Sequence, residues 1–107
     1  MTILNLNDLT QDGRVHNLTG RDLGRRAREN MHIAELDASD QTIEVQIPEH
    51  VFLITPSFFI GMFAASVAGL GSVDAFFEKY EFTSPPQVLR QIQDAARRAL
   101  IVSTPQT

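Results

Sequence analysis

The chain reads as one α/β domain of 107 residues: a small mixed β-sheet of about four strands with helices packed against it. Three stretches carry that reading. Thr42 to Ile47 alternates strictly, with Ile43, Val45 and Ile47 on one side and Thr42, Glu44 and Gln46 on the other, which is the pattern of a half-buried strand. From Pro56 the period lengthens to that of a helix, in a segment apolar on nearly every side. From Pro86 it becomes amphipathic, with Val88, Leu89, Ile92, Ala96, Ala99 and Leu100 on one face.

Bulk composition narrows the function classes. A formal net charge of -4 argues against nonspecific affinity for nucleic acid or anionic lipid. The absence of cysteine excludes disulfides and thiolate metal sites, and fits a reducing compartment. A chain of this size buries roughly two-thirds of its unfolded surface, enough for a core without a staple. A hydrophobic content of 43% is too high for a disordered chain. The opening MTILNLNDL has no basic region and meets Asp8 early, so no signal peptide is expected and a cytoplasmic domain is the default.

Taken in order, residues 2–6 predict a first strand and Arg14 to Asn17 a second. Asp12-Gly13 between them is a turn dipeptide that favours a hairpin. Thr19 with Asp22 resembles a capping box, Leu18 and Leu23 fit a hydrophobic staple, and Leu23, Ala27, Met31 and Ala34 recur at helical spacing, which predicts a helix over about 20–35. After the 42–47 strand, Pro48 breaks the pattern, and Val51 to Ile54 either extends the strand past a kink or crosses the sheet edge. Thr55 is placed to cap the next helix, with Pro56 at its first position, where a missing N–H costs nothing. Gly69 and Gly71 end that helix. Ser72 can cap a short helix carrying Val73, Phe76, Phe77 and Tyr80, and residues 80–83 predict another strand. Ser84 and Gln87 offer a capping box for the last helix, and the tail from Ser103 is expected to fray.

The run from Val51 to Val73 has no charge over 23 residues, long enough to cross a bilayer. Gly61-xxx-Ala65 and Ala65-xxx-Gly69 offer the small-residue spacing by which membrane helices approach one another. Pro56, the polar Thr-Pro-Ser cluster and flanks without a basic cluster (Glu49 and His50 before, Asp74 and Glu78 after) favour instead a buried helix entered from a strand.

The candidate sites are few. Arg21, Arg25 and Arg28 fall at i, i+4 and i+7 of the first helix, a ridge able to receive an anionic partner, with a solvated face beside Asp22 and Glu29 as the plainer reading. His32 and Glu35 at i and i+3 share a helix face and could ligate a metal, although two ligands make only a weak site. Gly69-Leu70-Gly71 lacks the strand–helix context of a dinucleotide loop. No nucleophile–base or paired-carboxylate arrangement follows from the spacing, so no catalytic residue and no cofactor is assigned. Ser57 lies in the first turn of the helix opened by Thr55, where free N–H groups and the helix dipole would hold a phosphate; an unmodified capping serine is the alternative.

The segment IEVQIPEHVFLITPSFFIGMFAASVAGLGSVDAFFEKYEF resembles the STAS-like domains of bacteria, relatives of the anti-sigma-factor antagonists. The likeness lies in a strand and loop before Ile54-Thr55-Pro56-Ser57-Phe58 opening a helix, Leu70-Gly71 closing it, Phe82 on the next strand, and Gly20-Arg21 and Arg28 upstream; it spans residues 14–101. The resemblance implies an α/β fold and a regulatory role through protein–protein contact, with Thr55, Ser57 and Phe58 at the docking surface and a histidine-kinase-like ATPase as partner. Antagonists of that kind carry an Asp-Ser-Ser-Gly-type motif whose serine is phosphorylated, and Ser57 falls at the matching place, with Thr55-Pro56 before it and Phe58-Phe59 after it. A small-molecule or nucleotide-binding regulatory module, using the same helix N-terminus as an anion site, is the alternative.

Overall fold

In the computed structural model, which describes residues 2–11 and 13–103 (100–103 by backbone alone), the 42–47 alternation forms the middle strand of a sheet. The order of elements is β1 (Thr2–Asn5), a 3-10 turn (Leu6–Leu9), β2 (Asn17–Leu18), α1 (Arg21–Asn30), α2 (Ile33–Asp37), β3 (Ile43–Gln46), β4 (Leu53–Ile54), α3 (Pro56–Leu70), α4 (Val73–Lys79), β5 (Tyr80–Thr83) and α5 (Pro86–Ser103). The expected α/β class is the observed one. The pairing differs: the strands form two parallel sheets, β1-β3-β5 and the two-residue pair β2-β4, with no antiparallel partner among the described residues.

The Asp12-Gly13 hairpin is therefore a correction. β1 pairs with β3 in parallel, Leu4 beside Val45 and Val45 beside Phe82, and β2 pairs with β4. Gly13 has φ 88°, as a turn requires, but Asp12 lies outside the described residues. The chain leaves β1 through the 3-10 turn, where Leu6 is buried and the Asn5 side chain accepts from the Asn7 N–H. Burying Leu4 and Leu6 in the common core outweighs what a solvent-exposed two-strand ribbon offers.

Val51 to Ile54 does not stay in the first sheet. Ile47 N–H still donates to Thr83 O (2.8 Å), and the chain then turns at Pro48 and pairs with 16–18 through Phe52 N–H to His16 O and Thr55 N–H to Leu18 O. Gln91 of α5 supports this pair by accepting from the Ile54 N–H at 2.8 Å.

The first helix is shorter than its periodicity predicts. Its N-cap is Gly20 (φ 91°), not Thr19, and it ends at Asn30 because His32 takes the left-handed conformation (φ 56°) before α2 begins. That break lets Ile33 reach the core while Asp37 closes α2 next to α1 and α3. The caps of the next two helices are as expected. Thr55 Oγ1 accepts from Phe58 N–H, Pro56 opens α3, Gly71 (φ 91°) closes it, and Ser72 Oγ accepts from Ala75 N–H at 3.0 Å. At the start of α5, Ser84 Oγ donates to Pro85 O. The expected frayed tail falls almost wholly on residues 104–107, outside the described residues.

Fifteen residues give α3 a length of about 22 Å, short of a ~30 Å hydrocarbon core. No single helix among the described residues is long and apolar enough to cross a membrane, and α3 and α4 meet at a bend of 106°. Its side chains are used within the fold. Phe58, Phe59, Met62, Phe63 and Val67 are buried, and Phe63 meets Phe76 and Tyr80 edge-on, each at 5.3 Å between ring centroids.

Helix α1 crosses α3 at two glycines. A Cβ on Gly24 would lie 2.2 Å from Phe58 O, and one on Gly61 would lie 2.2 Å from Arg21 O, so each helix presses bare backbone onto the other. Gly24→Ala and Gly61→Ala must each push the helices apart, and are expected to cost about 2–3 kcal/mol or more in urea unfolding. Gly69, with open space around it, gives the control: Gly69→Ala is expected to stabilise by about 0.5–1 kcal/mol.

Candidate functional site

The N-terminus of α3 is a polar corner with an apolar border. Thr55 is half-buried and committed to its cap, whereas Pro56 and Ser57 are exposed. Phe58 is a correction to the expected docking surface. It is 2% exposed and part of the core, because the residue following Ser57 already turns inward on the helix. The exposed large apolar side chains at this corner lie just before the helix instead: Phe52 is 55% exposed, and Leu53, which opens β4, is 37% exposed. The Phe52 ring stacks on His16 (5.2 Å, 11° between planes), and His16 Nδ1 lies 2.7 Å from His50 O, so the exposed aromatic is held in place. Phe52 and Leu53 stood in the sequence as strand residues. Only the tertiary structure, which leaves Phe52 and the first residue of β4 at the surface, marks them as available.

The arginine ridge is partly dissolved by the fold. Arg21 and Arg25 are exposed, and their backbone abuts Gly61, which puts them beside the first two turns of α3. Arg25 pairs with Asp22 one turn away, an exposed pair of small energetic consequence. Arg28 turns inward. Its guanidinium donates to Met62 O (3.0 Å), Ser66 Oγ (2.8 Å) and Asp37 Oδ2 (2.7 Å), Ser66 Oγ donates to Asp37 Oδ2 (2.8 Å), and the Tyr80 hydroxyl donates to Asp37 Oδ1. Asp37 thus joins α1, α3 and β5. The sequence carried a faint sign of this in a serine within an otherwise apolar helix and in the lone tyrosine.

Burial, and then the hydrogen bond and charge of Asp37, push the Tyr80 phenol well above the ordinary tyrosine range. His32 and Glu35 approach only to 3.9 Å at the surface, and among the described residues no group of three His, Asp or Glu side chains is placed to hold a metal. Cavities of about 390 Å³ at the carboxyl ends of β1, β3 and β5, and about 380 Å³ beside Arg25 and His32, do not include residues 55–58.

Two outcomes are expected from the Asp37 junction. Asp37→Ala should cost about 2–3 kcal/mol, since it leaves the Arg28 charge with two neutral acceptors in a site that is only about one-fifth exposed. Because the Tyr80 phenol is raised in the folded state, its contribution to stability should be fully present below the ordinary tyrosine value of pH ~10 and be lost as pH rises from there toward the folded-state value. Tyr80 is the chain's one tyrosine, so ultraviolet absorbance reads it alone, and Asp37→Asn should bring its titration part of the way back. Against known proteins, no family model matches the chain, and neither a curated protein nor a solved structure is significantly similar to it.

Proposed function

We propose that this chain is a non-catalytic regulatory module, STAS-like in character, that acts by binding a partner protein at the corner formed by β4 and the N-terminus of α3. The observation that carries the reading is the side-by-side exposure of Phe52, Leu53, Pro56 and Ser57 at the end of an otherwise buried element. An aromatic already held by stacking loses little freedom on binding, which suits it to anchor an interface. Ser57 gives that surface a switch. It is exposed in a first turn that tolerates a phosphate, and the added charge would oppose a partner seated on Phe52 and Leu53. The resemblance supplies the partner class, a histidine-kinase-like ATPase. The parallel pairing departs from the mixed sheet that the resemblance implies, so the support lies in the element order and the Ile54-to-Phe58 segment. Arg21 and Arg25, on the neighbouring turn of α1, extend the surface with positive charge.

The test is recovery of a partner by the immobilised wild-type chain and by surface variants with unchanged circular dichroism. Phe52→Asp, Leu53→Asp and Ser57→Glu should each reduce capture about tenfold or more. Nucleotides should leave the melting temperature unmoved. Equal capture by all the variants would exclude this surface. A melting temperature raised by nucleotide would replace the reading with the small-molecule module.

A further inference from the structure

The β1-β3-β5 sheet has a bare side. Side chains alternate across a strand, and the register sets Ile3, Glu44 and Glu81 in one row and Asn5, Gln46 and Thr83 in the next. All six are exposed or half-buried, whereas Leu4, Ile43, Val45 and Tyr80 on the helix-facing side are buried. Purely parallel sheets almost always carry a helical layer on both faces. Here one layer is missing, and Ile3, the most exposed large hydrophobic side chain among the described residues at 56%, lies on the uncovered side.

The charge on that side has one sign. Glu44 and Glu81 are direct neighbours in register, and neither row holds a basic residue. Lys79, just before β5, is turned to the carbonyls of Ser39 and Gln41. The face runs on into the ~390 Å³ groove at the carboxyl ends of the strands, which shares Asn5, Gln46 and Thr83 with it and adds Glu49.

We propose that this face docks a cationic amphipathic helix of a partner protein, its apolar ridge on Ile3 and its basic side chains over Glu44, Glu81 and Glu49. A helix is the element that covers a parallel sheet. A second copy of the chain is disfavoured, because stacking face to face would set Glu44 and Glu81 against the same carboxylates. Three strands of four residues span about 13 by 14 Å, well below the ~800 Å² per partner of a stable interface, so the docking is transient and salt-sensitive. The surface is separate from the Phe52 corner, which belongs to the other sheet.

The experiment titrates the isotope-labelled full chain with a capped leucine–lysine amphipathic peptide of about five helical turns, and with its leucine–glutamate counterpart. Amide shifts are expected along Thr2–Asn5, Ile43–Gln46 and Tyr80–Thr83 with the lysine peptide alone. Affinity should fall about tenfold or more in Glu44→Gln/Glu81→Gln, which preserves side-chain size, and persist in Ser57→Glu. Equal binding of both peptides, shifts centred on Phe52 and Leu53, or a free chain that is already dimeric with slow exchange in those strands would each overturn the proposal.

Discussion

The close approach of α1 and α3, backbone to backbone at Gly24 and Gly61, sets the geometry of most of what surrounds it. With a Cβ at either position the helices could not meet at this distance, and the second effect would be on Arg28, one turn further along α1. Arg28 reaches the Met62 carbonyl and Ser66 only because α1 is pressed against α3 there. Through Ser66 and Arg28 the Asp37 carboxylate is fixed, and through Asp37 the Tyr80 hydroxyl at the head of β5. A steric fit of two glycines thus extends into a polar junction linking three helices to the sheet.

That junction also explains the break at His32. A continuous helix over residues 21–37 would carry Asp37 away along a straight axis. A single left-handed residue folds α2 back, so that Ile33 enters the core and Asp37 meets Arg28. Backbone strain at one exposed histidine is offset by one buried isoleucine and a charge-assisted contact. The same economy governs the aromatic side of α3, where Phe59, Phe63, Phe76 and Tyr80 pack at centroid distances of 5.1–5.8 Å and tie α3 and α4 to β5.

With its apolar surface spent on one side, the fold leaves two kinds of exposed ground. The α3 corner is small and apolar with a polar edge, and the uncovered sheet face is acidic with one isoleucine. Neither is needed to complete the core, which is closed by residues facing the other way. Away from both surfaces, Arg28 and Tyr80 are each held by Asp37.

The sequence alone determined what is local. The strand at 43–46, the helix opened by Thr55 and Pro56, the glycine that closes it and the Ser72 cap all follow from interactions within a few residues, and each is present. The small residues of α3 were also legible, although their spacing pointed equally to a membrane helix; the tertiary structure gave Gly61 a partner in Gly24 within one globule. What tertiary structure alone decided is pairing and direction. Asp12-Gly13 favoured a hairpin, yet β1 joined β3, because burial of Leu4 beside Val45 and Phe82 is a gain no turn dipeptide can encode. Periodicity placed Arg28 on the ridge of Arg21 and Arg25, and only a carboxylate arriving from α2 turned it inward. Phe58 sat beside Ser57 in the chain but on the other side of the helix surface, since neighbouring residues in a helix point about 100° apart and the core takes one of them.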